Sequence, residues 1–253
     1  MTILNQRLFR YAAPQEFYPV AGFLAPWFAG IAISLAALGL CLAFFIAPTD
    51  FQQGQVYRII FIHVPAAWMS MLIYLAMAFW SAVGLILNTR LSFLMSRALA
   101  PTGAMFCVVA LVTGALWGRP TWGAYWVWDA RLTSQLLLLL LYLGFMALSN
   151  AIPNPNRADK AGALVALVGA INVPIIYMSV IWWNTLHQGA SVSLTRAPSM
   201  ATVMLAGMLI MTFACWAYTI AISFWRVRTL ILERERHSAW VQAAVAVHRG
   251  GPN

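Results

Sequence analysis

Two of the four histidines stand at the ends of long apolar runs, where an imidazole could bind a metal ion. His63 lies in IIFIHVPAAW, and His187 follows another apolar run in IWWNTLHQG. His237 and His248 lie in the polar C-terminal region, and we interpret them as solvated. Neutral imidazole is a common metal ligand, and haem iron often takes axial histidine. A single histidine at a membrane edge is more often an interfacial residue, so the hypothesis of a metal site depends on the pair.

A tryptophan-rich stretch between two other apolar runs could bind a flat ligand. It reads WGRPTWGAYWVWDARLT over residues 117–133. Aromatic belts at membrane interfaces account for one or two such residues per helix end, not for four tryptophans in twelve positions. If residues 121–128 are helical, Trp122, Tyr125 and Trp126 share a face, and if they are extended, Trp122, Trp126 and Trp128 do. Either conformation gives a broad aromatic surface that suits a flat, largely apolar ring.

Two arginines could hold the carboxylate groups of such a ligand. Arg131 follows the aromatic stretch, and Arg58 lies five residues before His63. Guanidinium groups match carboxylates in geometry and charge. Alternatively, Arg58 is an ordinary juxtamembrane charge, and Arg131 pairs with Asp129, which could also cap the following helix. A zinc site is disfavoured, because it would need further cysteine, histidine or carboxylate ligands, and only Asp50 and Asp129 are available on the outer side.

The composition predicts the elements that position these residues. The chain of 253 residues is 62% hydrophobic and only 8% charged, with a mean hydropathy of +0.79, which indicates an integral membrane protein. Continuous apolar runs of about 20 residues or more predict spanning helices rather than a barrel. We expect one all-α membrane domain over 1–253, without a cleavable signal, a repeat or a separate soluble domain. Its six transmembrane helices cover approximately 22–47, 60–87, 98–117, 132–152, 161–183 and 201–225.

The basic residues predict the orientation of these helices. Eleven of the 15 lysines and arginines lie on the side of the two termini, which are therefore expected in the cytoplasm. The tryptophan-rich loop 117–131, between helices 3 and 4, then lies outside with loops 48–59 and 184–200, at the level of both histidines. The net charge of +9 is thus a signal of topology, and it does not indicate nucleic-acid binding. The tail after Arg226 is expected to form a short surface helix.

Several classes of protein are disfavoured. The six apolar segments contain no Asp, Glu, Lys or Arg, whereas ion-coupled transporters usually carry such groups within the membrane. There is no phosphate-binding loop for ATP hydrolysis and no hydrolase motif. The three cysteines all lie inside apolar runs and form no CxxC or CxxCH motif.

Particular motifs resemble a known family. WGxxxWGxxWVWDARLT is similar to the "WWD" signature of the haem-handling proteins of cytochrome c biogenesis, which also occurs in larger haem lyases. The segments FIHVPAAW, DFQQGQVYRII and WWNTLHQG resemble the C component of the bacterial cytochrome c maturation system, the haem exporter protein C family. The six predicted spans and the length also fit this family, and the resemblance covers nearly the whole chain.

The resemblance implies a function at the periplasmic face of the bacterial inner membrane. A multi-pass protein of this family binds haem b as cargo, delivers it to the membrane-anchored haem chaperone (the E component), and promotes its covalent attachment there. It works with a small single-span D component and an ABC transporter of A and B components, so the attachment activity would belong to a complex. His63 and His187 would be the axial iron ligands. The haem cradle and docking surface would include Trp117, Gly118, Trp122, Gly123, Tyr125, Trp126, Trp128, Asp129 and Arg131.

Two other functions remain open at this point. One is a permease that moves haem across the membrane, which the lack of polar groups within the apolar segments disfavours. The other is a scaffold whose aromatic loop only docks a partner protein.

Overall fold

The computed structural model describes residues 12–183, 185–187 and 200–249. Within these ranges six helical segments are long and apolar enough to cross a membrane, and the described chain has no strand, which confirms the all-α prediction with six spans. Most of the predicted loop 184–200 lies outside the described residues, as do residues 1–11 and 250–253. The spans are Pro14–Ile46, Gln55–Leu87, Arg90–Trp122, Ala130–Ala151, Pro155–Trp182 and Thr202–Arg234.

The helices are named in chain order. The first span combines α1 with a π-helical turn at Leu42–Ile46, and the second combines a 3-10 turn at Gln55–Ile59 with α2. The bounds are α1 Pro14–Cys41, α2 Ile60–Leu87, α3 Arg90–Trp122, α4 Ala130–Ala151, α5 Pro155–Gly169, α6 Asn172–Trp182, α7 Thr202–Arg234 and α8 Ala239–Arg249.

The helices extend beyond the apolar runs that predicted them. Apolar residues mark only the hydrocarbon layer, whereas backbone hydrogen bonding carries a helix on into the polar interface. The third helix therefore continues to Trp122 and ends where Gly123 adopts a left-handed conformation with φ 82°. Residues 117–122 are thus helical, and the predicted loop 117–131 is shortened to the residues between α3 and α4. Charged residues such as Arg97, Arg131 and Arg226 consequently lie within the ends of the observed spans.

The fifth span and the tail also differ from the prediction. The fifth span is interrupted at Ala170 and Ile171, just before the turn of α6 that contains Pro174, which has no backbone N–H to donate to the preceding turn. The side chain of Asn172 is buried at this break and donates to the carbonyl of Ser134 at 2.9 Å. The predicted tail helix after Arg226 is instead the continuation of α7, followed by α8.

Tyrosine rings packed on glycines fill the centre of the bundle. Tyr74 and Tyr142 have no exposed surface, and their rings contact each other edge to face at 4.9 Å. A Cβ atom at Gly103 would collide with Tyr142, so only glycine lets α3 approach α4 this closely. The Tyr142 hydroxyl donates to the carbonyl of Ser70 at 2.7 Å, which satisfies it inside the core. These contacts join α2, α3 and α4 at the centre of the bundle.

Candidate functional site

The beginning of α2 and the end of α3 meet at one end of the bundle, and His63 lies between them. His63 is in the first turns of α2 and is 9% exposed. Its Nδ1 lies 3.0 Å from the Thr113 hydroxyl of α3, and its ring contacts Trp117 edge to face at 5.5 Å. A Cβ atom at Gly114 would come within 2.9 Å of the His63 ring, so this glycine makes room for the imidazole.

The partners of Thr113 determine which nitrogen of His63 carries the proton. The Thr113 hydroxyl has a single proton and donates it to the Val109 carbonyl at 2.6 Å. Thr113 Oγ1 must therefore accept the hydrogen bond from His63 Nδ1–H. This leaves the lone pair of Nε2 available to a metal ion, in the arrangement typical of a metal-binding histidine whose other nitrogen is hydrogen bonded.

His187 approaches His63 from the segment that follows α6. It lies in the described residues 185–187 and is half-buried. The two imidazole centroids are 6.3 Å apart, with 29° between the ring planes. Trp122 contacts His187 with ring centroids 6.0 Å apart. Two side chains separated by more than 120 positions in the sequence thus face each other beside the tryptophan-rich segment.

The helical part of the tryptophan-rich segment is anchored to the preceding loop. Trp117 donates from Nε1 to the side-chain oxygen of Gln53 at 2.7 Å and contacts the Tyr57 ring at 5.8 Å. Asp50 shapes this loop, because its Oδ1 accepts from the backbone N–H groups of Gln52 and Gln53 at 3.0 and 2.8 Å. These contacts fix the Trp117 ring beside His63.

After Gly123 the aromatic side chains divide into two groups. The turn is closed by Arg119, which donates to the Gly123 carbonyl at 2.6 Å. Trp126 is half-buried, whereas Trp128 is 77% exposed and Tyr125 is 58% exposed. Trp126 and Trp128 contact each other edge to face at 5.3 Å. The segment is thus helical before Gly123 and non-helical after it, so neither uniform conformation considered for 121–128 is correct.

Arg131 and Asp129 do not form an ion pair with each other. Arg131 donates to the Ile176 carbonyl at 2.9 Å, which ties α4 to α6. Asp129 is the N-cap of α4, and its Oδ1 accepts from the Leu132 N–H at 2.8 Å. The capping interpretation of Asp129 is therefore correct. Arg131 also lines the cavity.

Arg58 lies outside this cavity. Its guanidinium group donates to the carbonyls of Ala43 and Ala47, the latter at 2.9 Å, and to the side chain of Gln55. These carbonyls belong to the end of the first span, where helical partners are missing. Arg58 therefore caps that span in the described structure.

The two histidines, three of the tryptophans and Arg131 line one cavity. It contains about 780 Å³ of empty space, including the part that opens to solvent. Its walls are mostly apolar, and Trp117, Trp122 and Trp126 are its aromatic side chains. Trp128, Tyr125 and Arg58 are not among the lining residues. The structure therefore separates the predicted site residues into cavity residues and outer residues.

The site also contains polar residues that the sequence did not single out, among them Gln53, Thr113 and Gln135. Gln135 forms part of the cavity lining and donates to the Ser70 hydroxyl at 2.9 Å. Ser70 in turn donates to the Ala67 carbonyl at 2.7 Å, so the polar floor of the cavity is tied to α2. The sequence signal for Gln135 was its position as a single glutamine inside the apolar run of α4.

Among the described residues, Nε1 of Trp126 is a buried polar atom at the cavity without a hydrogen-bond partner. Oδ2 of Asp129, which is not part of the cavity lining, likewise has no partner in this part of the chain. A buried donor without a partner is unfavourable by about 1–3 kcal/mol, so its place in a cavity needs an explanation. The indole N–H of Trp126 is therefore a candidate donor to a ligand carrying an acceptor group.

The described residues contain no group of three or more His, Cys, Asp or Glu side chains that could hold a metal ion. In this part of the chain, the metal-ligand candidates of the cavity are the two histidines. An ion held by two imidazoles needs its remaining ligands from elsewhere, which a porphyrin supplies.

Comparison with known proteins identifies the family. A family model described as "Heme exporter protein C" matches residues 7–242. The "Heme exporter protein C" of Escherichia coli (strain K12) is 41% identical over 238 residues, covering 94% of this chain and 96% of that protein. A protein of the same name from Bradyrhizobium diazoefficiens is 44% identical over 233 residues, covering 92% and 88%. A mitochondrial protein of Marchantia polymorpha, named as ccmC-like and for cytochrome c biosynthesis, is 50% identical over 159 residues, covering 63% and 67%.

The residues matched by the family model include all six spans, the tryptophan-rich segment and both cavity histidines. The comparisons confirm the resemblance drawn from the sequence motifs, and together with the six spans they identify a multi-pass protein of the inner membrane. The chain belongs to the heme exporter protein C family.

Proposed function

We propose that this chain binds haem as cargo in the cavity between His63 and His187 and delivers it to a membrane-anchored haem chaperone. Family membership gives haem handling in cytochrome c biogenesis as the general function. The observation that carries the specific proposal is the pair of imidazoles 6.3 Å apart in an aromatic cavity.

The spacing of the histidines supports coordination of one iron from opposite sides. Two metal–imidazole bonds of about 2 Å each, together with half of each ring, bring the centroids to roughly 6 Å. The planes of the two rings are inclined to each other by 29°. His63 already has its Nδ1–H bonded to Thr113, so its Nε2 is oriented as the ligand atom.

Other cavity residues suit the remainder of the porphyrin. The rings of Trp117, Trp122 and Trp126 offer apolar faces, and Arg131 offers a cation for a propionate carboxylate. The unpartnered Nε1–H of Trp126 can donate to such a carboxylate or to another acceptor on the cargo. Arg58 does not support this role, because its donors are directed at the first span.

The exposed aromatic residues support a docking surface for the chaperone. Trp128 and Tyr125 lie on the outer side of the segment whose inner side lines the cavity. A partner that docks there would meet the cargo at its open edge. The chain then contributes positioning, while a haem vinyl group supplies the reactivity for attachment to a histidine of the chaperone. The D component and the ABC transporter of A and B components are the further partners that we propose.

The distribution of charge supports a periplasmic location of the cavity. The cavity lies at the end of the bundle where α2 begins and α3 ends, and most basic residues lie at the opposite end. In inner-membrane proteins, the side that carries more lysine and arginine residues faces the cytoplasm. A permease is less well supported, because Tyr74, Met77 and Tyr142, all without exposed surface, fill the bundle between its two ends.

The axial-ligand proposal is tested with purified protein from haem-replete cells. We expect a six-coordinate haem spectrum in the wild type and a change of coordination and weaker binding in His63→Ala and His187→Ala. His237→Ala is the matched control, because His237 is an exposed imidazole outside the cavity. A colourless wild-type protein, or spectra that are the same in both cavity variants and the control, would falsify the proposal. A permease would instead accumulate haem outside vesicles that contain this chain as their only added component.

A further inference from the structure

A second cavity lies at the other end of the bundle, between α4 and α7. Both helices pack against α3 but not closely against each other, so a cleft between them opens sideways. It contains about 680 Å³ of empty space, including the part that opens to the surroundings. Its polar side chains are Arg97, Arg226, Ser149, Asn150 and Thr229.

The charges in this cleft favour an anion. Arg97 and Arg226 are its charged lining residues, and no carboxylate lines it. Asp159 forms ion pairs with Arg234 at 2.6 Å and with Arg97 at 3.8 Å, so a single carboxylate is shared between these two arginines and does not neutralise both. The hydrogen bonds of Arg226 go to the neutral hydroxyl of Thr102 and the Ala98 carbonyl, so its positive charge is not neutralised by them.

The rest of the cleft is apolar and lies at the depth of the membrane interface. Pro101, Phe145, Met146 and Leu230 provide its apolar surface. Arg97 is seven residues inside α3, or about 10 Å along the helix. A free phosphate ion has no apolar part to contact the apolar walls of this lateral opening. A phospholipid presents a phosphate and a hydrocarbon chain together, so it can contact both the arginines and the apolar walls.

We propose that this cleft binds one anionic phospholipid of the membrane. The lipid phosphate lies between the guanidinium groups of Arg97 and Arg226, and an acyl chain follows the apolar walls between α4 and α7. Basic pockets between transmembrane helices are known to suit anionic lipid headgroups. This site is separate from the histidine cavity and does not depend on the proposed haem function.

The test compares retained lipid and lipid-dependent stability in four purified proteins. They are the wild type, Arg97→Gln, Arg226→Gln and the control Arg157→Gln, which removes an exposed charge from the same end of the bundle. Native mass spectrometry measures co-purified phospholipid. Thermal unfolding in detergent is then measured with added phosphatidylglycerol, with phosphatidylethanolamine, or with inorganic phosphate. One arginine near the membrane surface contributes roughly fivefold in affinity for an anionic lipid.

We expect the wild type and Arg157→Gln to retain an anionic phospholipid and to unfold at a higher temperature when phosphatidylglycerol is added. Arg97→Gln and Arg226→Gln should each bind it roughly fivefold more weakly. Arg226→Gln leaves the contacts of Asp159 intact, so it carries the test if loss of Arg97 prevents folding. Equal retention in all four proteins would overturn the proposal. So would an equal thermal shift of the wild type with phosphatidylethanolamine or inorganic phosphate, a comparison that needs no variant.

Discussion

Replacing Thr113 with valine tests whether the imidazole of His63 is held as a metal ligand. Valine has nearly the shape of threonine but cannot accept the hydrogen bond from His63 Nδ1, which is 3.0 Å long. In the unliganded protein this leaves a buried N–H without a partner, at a cost of about 1–3 kcal/mol. Coordination of Nε2 by iron makes Nδ1–H a stronger donor, so the lost hydrogen bond matters more in the haem-bound state.

This difference between the two states determines the effect on affinity. Loss of such a supporting hydrogen bond typically weakens metal binding roughly 10- to 100-fold. We therefore expect Thr113→Val to bind haem about 10- to 100-fold more weakly than the wild type, equivalent to about 1.4–2.8 kcal/mol. Titration of the purified protein with haem, followed by its Soret absorbance, measures this change.

Two control variants separate the hydrogen bond from other effects. Thr113→Ser keeps a hydroxyl group and should retain most of the wild-type affinity. Thr212→Val removes a buried hydroxyl that also bonds a carbonyl one turn back, that of Met208 at 2.9 Å, but has no histidine beside it. It should leave haem affinity unchanged. An affinity of Thr113→Val within about twofold of Thr113→Ser would refute the assignment of Nδ1 as a supported donor.

Three further predictions follow from the packing. Trp126→Phe removes the indole donor of the cavity and should weaken haem binding in the same titration. Trp128→Phe changes an exposed position and should slow haem transfer to the chaperone while haem binding stays unchanged. The reverse pattern would contradict the division into a cavity tryptophan and an outer tryptophan. Gly103→Ala introduces a collision with the core residue Tyr142 and should lower the free energy of unfolding by about 1–3 kcal/mol. Gly144→Ala is the control, because a Cβ atom there meets open space, and it should leave the free energy of unfolding unchanged. Equal unfolding temperatures for the two variants would refute this packing. Arg58→Gln should lower stability through its two lost carbonyl contacts while haem affinity stays the same, and weakened haem binding without lower stability would contradict its capping role.

The sequence predicted the positions of His63 and His187 because topology alone determines which helix ends meet a given membrane face. Each apolar run crosses the membrane once, so the start of the second span and the end of the fifth lie at the same end of the bundle. That argument gives the shared level of two residues but not their distance. The separation of 6.3 Å between their rings depends on the packing of α2, α3 and the segment after α6.

The polar residues of the cavity could not be predicted in this way. The role of Thr113 depends on which α2 residue packs beside it, and the role of Gln135 depends on its contact with Ser70 of another helix. Breaks in helices are equally difficult to predict from one residue type. Pro65 and Pro101 lie inside continuous helices, whereas the fifth span is interrupted before Pro174. Tertiary contacts decide whether the carbonyl that a proline leaves unpaired is tolerated.

The tryptophan-rich segment can serve cargo and partner at once because α3 ends inside it. The last helical turns fix Trp117 and Trp122 toward the histidines, and the chain then turns at Gly123. Gly118 permits the return, since a Cβ atom there would come within 3.0 Å of the Ala124 carbonyl. Gly118 is buried, so it is not positioned to contact the chaperone directly. It can affect docking only by setting the course of the backbone that carries the exposed aromatic residues. A larger residue at this position would displace the segment that carries Trp126 and would thereby disturb the cavity and the outer surface together.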